Sequence, residues 1–300
     1  MTFFSEIIIK HAVERSTSFM KTGIFTALLS LSLLASSEMA QGAAASDGLT
    51  ESLYRVHLSR GGDLNVLISK RTGSNPNIAV LLFPGYPGIL KLKEEAGSVA
   101  YEVAGTFVIR ARRFLNSDKV FTVAVDCPVD QWNACGDDYR SSNQHAADIM
   151  DVVTAVRTTY GAQKVYLAGT SYGTVSSSFL ARALGTKIDG AIHTATFTDP
   201  RTDRKALGAP MASFDWSKAQ VPQLFVHHKN DPCDLTRYSS VVARKGDIPL
   251  ITVEGVTNPR GDACEAFTAH GFVGRERVVM TTIHNWITER KLPAVVGTAE

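Results

Sequence analysis

A three-layer α/β domain with a mostly parallel central sheet and helices on both faces is the architecture this sequence predicts, on three observations. Two segments of alternating apolar and polar residues open the domain. Short, continuously apolar segments bounded by turn residues follow them. These alternate with segments of helical period to the end of the chain.

Each element follows from its local pattern. Leu53 to Ser59 and Leu64 to Ser69 alternate around Arg60-Gly61-Gly62-Asp63, a hairpin signature. Ile78 to Phe83 is apolar throughout and is stopped by Pro84-Gly85, as expected of a strand covered on both faces. The spacing then predicts a helix over Val99 to Phe114. Val120 to Val125 reads as the next buried strand and Ala146 to Tyr160 as the next helix, with Ile149, Val152, Val153 and Val156 on one face. Further strands are expected at Lys164 to Ala168, Gly190 to Ala195, Leu224 to His227 and Pro249 to Val253, with helices at Val175 to Leu184 and Arg275 to Arg290. No internal repeat or low-complexity linker interrupts the series.

The first 45 residues read as an export signal ahead of one domain, 46–300. Met20-Lys21, the apolar run Ile24 to Ala35 and the small-residue segment Ala40 to Ser46 supply the charged, apolar and cleavable regions. The run is shorter than the roughly 20 residues of a membrane span, and a retained anchor is the alternative. Residues 1–19 would make a long n-region carrying Glu6 and Glu14, so translation is expected to begin at Met20. The remaining chain of about 255 residues suits one large domain. Removing the signal takes away three basic and three acidic residues and leaves the net charge at +2. The basic residues are scattered, so neither nucleic acid nor an anionic membrane is an expected partner. The densest group, Arg110, Arg112 and Arg113, reads as a solvated helix face. All four cysteines lie beyond the signal, and in an oxidising secreted or periplasmic setting they favour two disulfides. Three pairings are possible; Cys127–Cys135 and Cys233–Cys264 close the shortest loops and are preferred. Zinc is the rival reading, disfavoured by the lack of a C-x-x-C, and no metal is expected.

The chemistry centres on Gly169-Thr170-Ser171-Tyr172-Gly173, which joins a predicted strand to a predicted helix. A serine on so sharp a turn needs small neighbours and presents its hydroxyl above the sheet, where it can act as a nucleophile. It then needs a base, and the base needs a group that fixes its tautomer. Of eight histidines, His270 stands in a loop before the last helix with Gly271 beside it, whereas His145, His193, His227, His228 and His284 fall on predicted helices or strands. For the carboxylate, Asp231 follows the strand ending at His227, and Pro232 fixes the turn that leaves it. Asp199, before Pro200, is the main rival, with Asp234 and Asp262 behind it. All lie near carboxyl ends of strands, where such sheets place their sites.

The elbow, the order Ser171, Asp231, His270 and the predicted architecture together resemble the α/β-hydrolase superfamily, over essentially the whole of 46–300. The resemblance implies an oxyanion hole made by the backbone N–H groups of Tyr172 and, from Phe83-Pro84-Gly85-Tyr86-Pro87-Gly88, of Tyr86; this loop departs from the common His-Gly form. It also implies no organic cofactor. The short connector Thr198 to Gln220 leaves no room for a large cap, and the open cleft that results suits small-molecule or polymeric esters. The expectation is therefore a secreted serine hydrolase of the carboxylic ester type. A peptidase or acyltransferase on the same triad, and a non-catalytic binding protein of this fold, are the alternatives.

Overall fold

Arg60-Gly61-Gly62 turns the chain back on itself, and β1 (Leu49–His57) pairs antiparallel with β2 (Asp63–Arg71) in the register that sets His57 opposite Asp63. The computed structural model describes residues 48–133, 135–201 and 207–297, all within one compact unit; the expected export signal lies outside the described residues. After β3 (Ile78–Phe83) come a small hairpin, β4 (Lys93–Glu95) and β5 (Ser98–Ala100), and a single helical turn, α1 (Phe107–Arg110). Then β6 (Val120–Val125), a second short turn, α2 (Asp137–Arg140), and the long α3 (Asn143–Tyr160) lead into β7 (Lys164–Thr170). The remaining elements are α4 (Gly173–Leu184), β8 (Gly190–Thr194), β9 (Gln223–His228), α5 (Tyr238–Arg244), β10 (Leu250–Val253), α6 (Glu276–Glu289) and β11 (Val295–Val296).

The strands form one nine-stranded sheet in the order β1-β2-β6-β3-β7-β8-β9-β10-β11, antiparallel up to the β2–β6 pair and parallel beyond it. The continuous apolar run of β3 has a direct cause here. Val80 and Leu82 pack into the layer holding α6 (Val279, Met280, Ile283), whereas Ala79, Leu81 and Phe83 pack into the layer holding α3 and α4. Both faces of the strand are buried, so both sets of alternating side chains must be apolar. Helix α3 starts three residues before its apolar pattern, because the Ser142 side chain caps it by accepting from the N–H of His145 at 3.0 Å. Gly161, at φ +70°, ends it. Between β8 and β9 the described residues carry only two one-turn helices, so there is no large cap among them. No helix among the described residues is long and apolar enough to cross a membrane.

The predicted helix over Val99 to Phe114 is corrected by the structure. Residues 98–100 form a strand, Val103 sits at φ +48°, and only Phe107–Arg110 and the single turn Arg112–Phe114 are helical. A left-handed, β-branched Val103 followed by Gly105 cannot continue a helix, although the apolar spacing fits one. The three arginines are not a solvated face. Arg112 is fully buried, its guanidinium bonded to both carboxylate oxygens of Glu51 (2.9 and 3.0 Å), to Tyr101 Oη (2.8 Å) and to the Ile109 carbonyl (2.7 Å). Arg110 bonds Glu276 at 2.9 Å and the carbonyl of Gly271, and Arg113 stacks on the ring of Phe114. Over two broken turns the trio points three ways, and each cation meets a different neighbour.

Three buried histidines are expected to make this fold acid-labile. Burial pushes His145 down to about 3, His193 to about 4 and His227 to about 4, from an ordinary value of 6.5. Because their folded values are depressed, the stability they confer is fully present above pH 6.5 and is lost as pH falls toward those values. The unfolded chain takes up protons that the folded one refuses. Each group then forfeits on the order of 3 kcal/mol between pH 6.5 and about 4, against a typical total of about 5–15 kcal/mol. The thermal midpoint is expected to drop steeply across this interval. His145 has no hydrogen-bond partner on either ring nitrogen among the described residues and lies between the Phe83 and Tyr139 rings. His145→Leu should therefore flatten the pH dependence of the midpoint; an unchanged slope would contradict this assignment.

Candidate active site

Ser171 is held at φ +51° between the last residue of β7 and the start of α4, the left-handed conformation that a nucleophile elbow requires. Its N–H donates to the Thr194 carbonyl of the neighbouring strand at 3.0 Å, and its own carbonyl accepts from Thr174 Oγ1 at 2.6 Å. The two flanking glycines are steric necessities. A Cβ on Gly169 would lie 2.5 Å from the Gly173 carbonyl oxygen, and one on Gly173 would run into the carbonyl of Phe83. Strand, turn and helix can thus approach closely only with this sequence.

Asp231 and His270 meet beyond the carboxyl end of β9. The ring Nδ1 of His270 lies 3.2 and 3.1 Å from the two carboxylate oxygens of Asp231, with the aspartate side chain fully buried and the histidine nearly so. Thr268 fixes the single turn Ala269–Gly271 by accepting from the His270 N–H at 3.1 Å. Burial pushes the Asp231 carboxyl upward, but the hydrogen bond and charge of His270, the nearby His227 and the N–H of Cys233 outweigh it. The group sits below the ordinary carboxylate range and stays ionised. The rivals are engaged elsewhere. Asp199 accepts from Thr198 Oγ1 (2.8 Å) and Ser240 Oγ (3.0 Å) and pairs with Arg237 at 3.8 Å, and Asp234 pairs with Arg237 at 3.6 Å. No hydrogen bond or ion pair joins the Asp262 side chain to His270 among the described residues. Cys233 is bridged to Cys264 and Cys127 to Cys135, so one disulfide ties the Asp231 loop to the segment leading to His270.

Ser171, His270, Tyr86 and Tyr172 line one cavity of about 760 Å³. Gly85 packs against Ser171, since a Cβ on it would lie 3.4 Å from Ser171 Cβ. Neither the N–H of Tyr86 nor that of Tyr172 is taken by a hydrogen bond among the described residues. Two unspent donors beside a serine are what an oxyanion hole requires. Phe107, Phe197, Leu207 and Leu235 make the rest of the wall largely apolar, with Arg201 and Glu265 as its charged members. A second cavity, of about 710 Å³, shares Tyr172 and Leu207 with the first and is bordered by Asp137 and Asp138. No group of three or more metal-binding side chains occurs among the described residues.

Two residues the sequence did not mark complete the surroundings. Arg140 is fully buried, with its ring-facing charge 4.9 Å over Tyr172; it donates to Ser176 Oγ (2.9 Å), the Cys135 carbonyl (2.9 Å) and the Pro87 and Gly88 carbonyls (3.4 Å each). It thereby ties the Tyr86 loop to the helix behind Ser171. Thr236 Oγ1 donates to Asp231 Oδ2 at 2.9 Å and lies 3.0 Å from His270 Nδ1. Neither residue belongs to a chemical motif, and no local pattern could have signalled either.

The family model described as "Serine aminopeptidase, S33" matches residues 136–263, a span that contains Ser171 and Asp231 and stops short of His270. No curated protein sequence matches the chain. Among solved structures, Est1E from Butyrivibrio proteoclasticus superposes with a TM-score of 0.54 at 16% identity, over 79% of this chain and 98% of that one. An α/β serine hydrolase without a lid from Xanthomonas campestris gives 0.51 at 17% identity, over 81% and 96%. A putative dipeptidyl aminopeptidase IV from Bacteroides ovatus gives 0.54 at 13% identity, over 82% of this chain but only 37% of that one. Its sheet, its elbow and these likenesses give the chain the α/β-hydrolase fold, and residues 136–263 carry the match to a serine hydrolase family model.

Proposed function

We propose that the chain is an exported carboxylic ester hydrolase working through Ser171, His270 and Asp231. The observation that carries the reading is the convergence on one cavity of a strained serine, a histidine bonded to a buried ionised aspartate, and two unspent backbone donors. Ser171 Oγ attacks the acyl carbon while His270 Nε2 takes its proton, and Asp231 stabilises the imidazolium from the Nδ1 side. The N–H groups of Tyr86 and Tyr172 hold the oxyanion, each worth about 3–4 kcal/mol of barrier. His270 returns the proton to the departing alcohol. Water, activated by the same imidazole, then releases the acid and restores the serine. Every step is acid–base or nucleophilic, carried by side chains, backbone N–H groups and water.

The apolar, aromatic wall of the cavity supports an ester substrate over a charged peptide end. So does the likeness to Est1E over 98% of that chain, a protein also solved with ferulic acid bound. The adjoining cavity leaves room for a longer or polymeric ester. A near-neutral exported chain has no charge pattern for nucleic acid. Two disulfides support export to the periplasm or medium. A peptidase is the second reading, favoured by the S33 model match. The test is a panel of aliphatic and aryl esters beside amino-acid amides. The purified protein is expected to hydrolyse the esters with a kcat/KM at least about 100-fold above the amides. Preference for aminoacyl amides would install the peptidase reading in its place.

A further inference from the structure

Thr236 stands where the acid and the base of the proposed triad meet, and its hydroxyl touches both. Its Oγ1 is 2.9 Å from Asp231 Oδ2 and 3.0 Å from His270 Nδ1, and the residue is fully buried. The loop that presents it is closed on itself: the Thr236 N–H donates to the Cys233 carbonyl at 3.1 Å, and the Cys233 N–H donates to Asp231 Oδ1 at 2.9 Å. Asp231 is therefore gripped on both oxygens by groups from its own loop.

A hydroxyl has one proton to give. With an ionised carboxylate on one side and a neutral imidazole on the other, the proton goes to the carboxylate, because a charge-assisted hydrogen bond is the stronger. The Thr236 oxygen is then left with lone pairs facing His270 Nδ1, and it can be satisfied there only if Nδ1 carries the hydrogen. In the opposite tautomer two lone pairs would face each other at 3.0 Å between two buried residues.

We infer that Thr236 is a positioning residue for the proposed reaction, selecting with Asp231 the His270 tautomer whose Nε2 is free to accept the serine proton. This rests on the reading of Ser171, His270 and Asp231 as the triad. Thr236 touches neither substrate nor reacting atoms and acts only through the imidazole and the carboxylate.

Thr236→Val keeps the shape and removes the hydroxyl. Turnover per active site, with sites counted by end-point titration with a fluorophosphonate, is expected to fall about 10- to 100-fold, the scale of a lost hydrogen bond to a charged pair. KM should be unchanged, and Thr236→Ser should recover most of the loss. The His270 Nδ1 proton resonance should shift or broaden in the valine variant and return in the serine one. A purely structural role would lower the number of titratable sites and leave turnover per site intact, and that result would overturn the inference. So would a serine variant as impaired as the valine one. If the valine variant does not fold, Thr236→Ala against Thr236→Ser decides by the same readouts. Ser171→Ala, assayed alongside, separates the two levels. Its inactivity with an unaffected Thr236→Val removes Thr236 alone, whereas retained activity in Ser171→Ala removes the triad and this inference with it.

Discussion

Ser171→Ala is expected to lower turnover by about 10⁶-fold, the scale at which a fully coupled nucleophile fails. The loss should fall on kcat and leave substrate affinity nearly unchanged, because the hydroxyl contributes a bond that forms only along the reaction. Some acceleration over water should survive, since the N–H groups of Tyr86 and Tyr172 and the cavity wall remain. Stability should hardly change. The elbow is held by backbone bonds to Thr194 and Thr174 and by close contacts at Gly169 and Gly173, none of which uses the Ser171 side chain. A fluorophosphonate should modify Ser171 in the native protein and nothing in the variant. Labelling of another serine, such as the buried Ser177 beside His193 (2.8 Å), would move the chemistry elsewhere.

Asp231→Asn should cost about 10⁴-fold in turnover, and Asp199→Asn little. An asparagine at 231 is nearly isosteric, but it can turn an amide N–H toward His270 Nδ1. That favours the tautomer with the proton on Nε2, which cannot accept from serine. It also leaves the imidazolium without a counter-charge in a buried site. Asp199 bonds Thr198, Ser240 and Arg237, so its loss should loosen the α5 region without reaching the histidine. Comparison of kcat and thermal midpoint for the two variants is the measurement. If Asp199→Asn proves the more damaging to kcat, the carboxylate has been misassigned.

How much of this was legible in the sequence differs by element. The strands at Ile78–Phe83 and Val120–Val125 fall on the predicted residues, because a strand buried on both faces leaves a continuous apolar run and turn residues close it. The elbow could be read because its geometry tolerates only glycine at 169 and 173, so a tertiary constraint is written into two residue choices four positions apart. Asp231 and His270 were findable because strand ends and glycine-flanked loops are locally marked. The two-turn α5 was not, since Tyr238 to Arg244 buries only Val241 and so shows little apolar period.

Local pattern was enough to give the layer architecture, the buried strands of the main sheet, the elbow and the candidate acid and base, because apolar period, turn chemistry and glycine requirements act over a few residues. Only the tertiary structure decided which carboxylate meets His270 rather than Arg237. It likewise decided that Arg112 is buried against Glu51, sixty-one positions away, and that Arg140 and Thr236 brace the site. Those outcomes depend on partners brought from distant segments, and a threonine or an arginine carries no local mark of the neighbour it will meet.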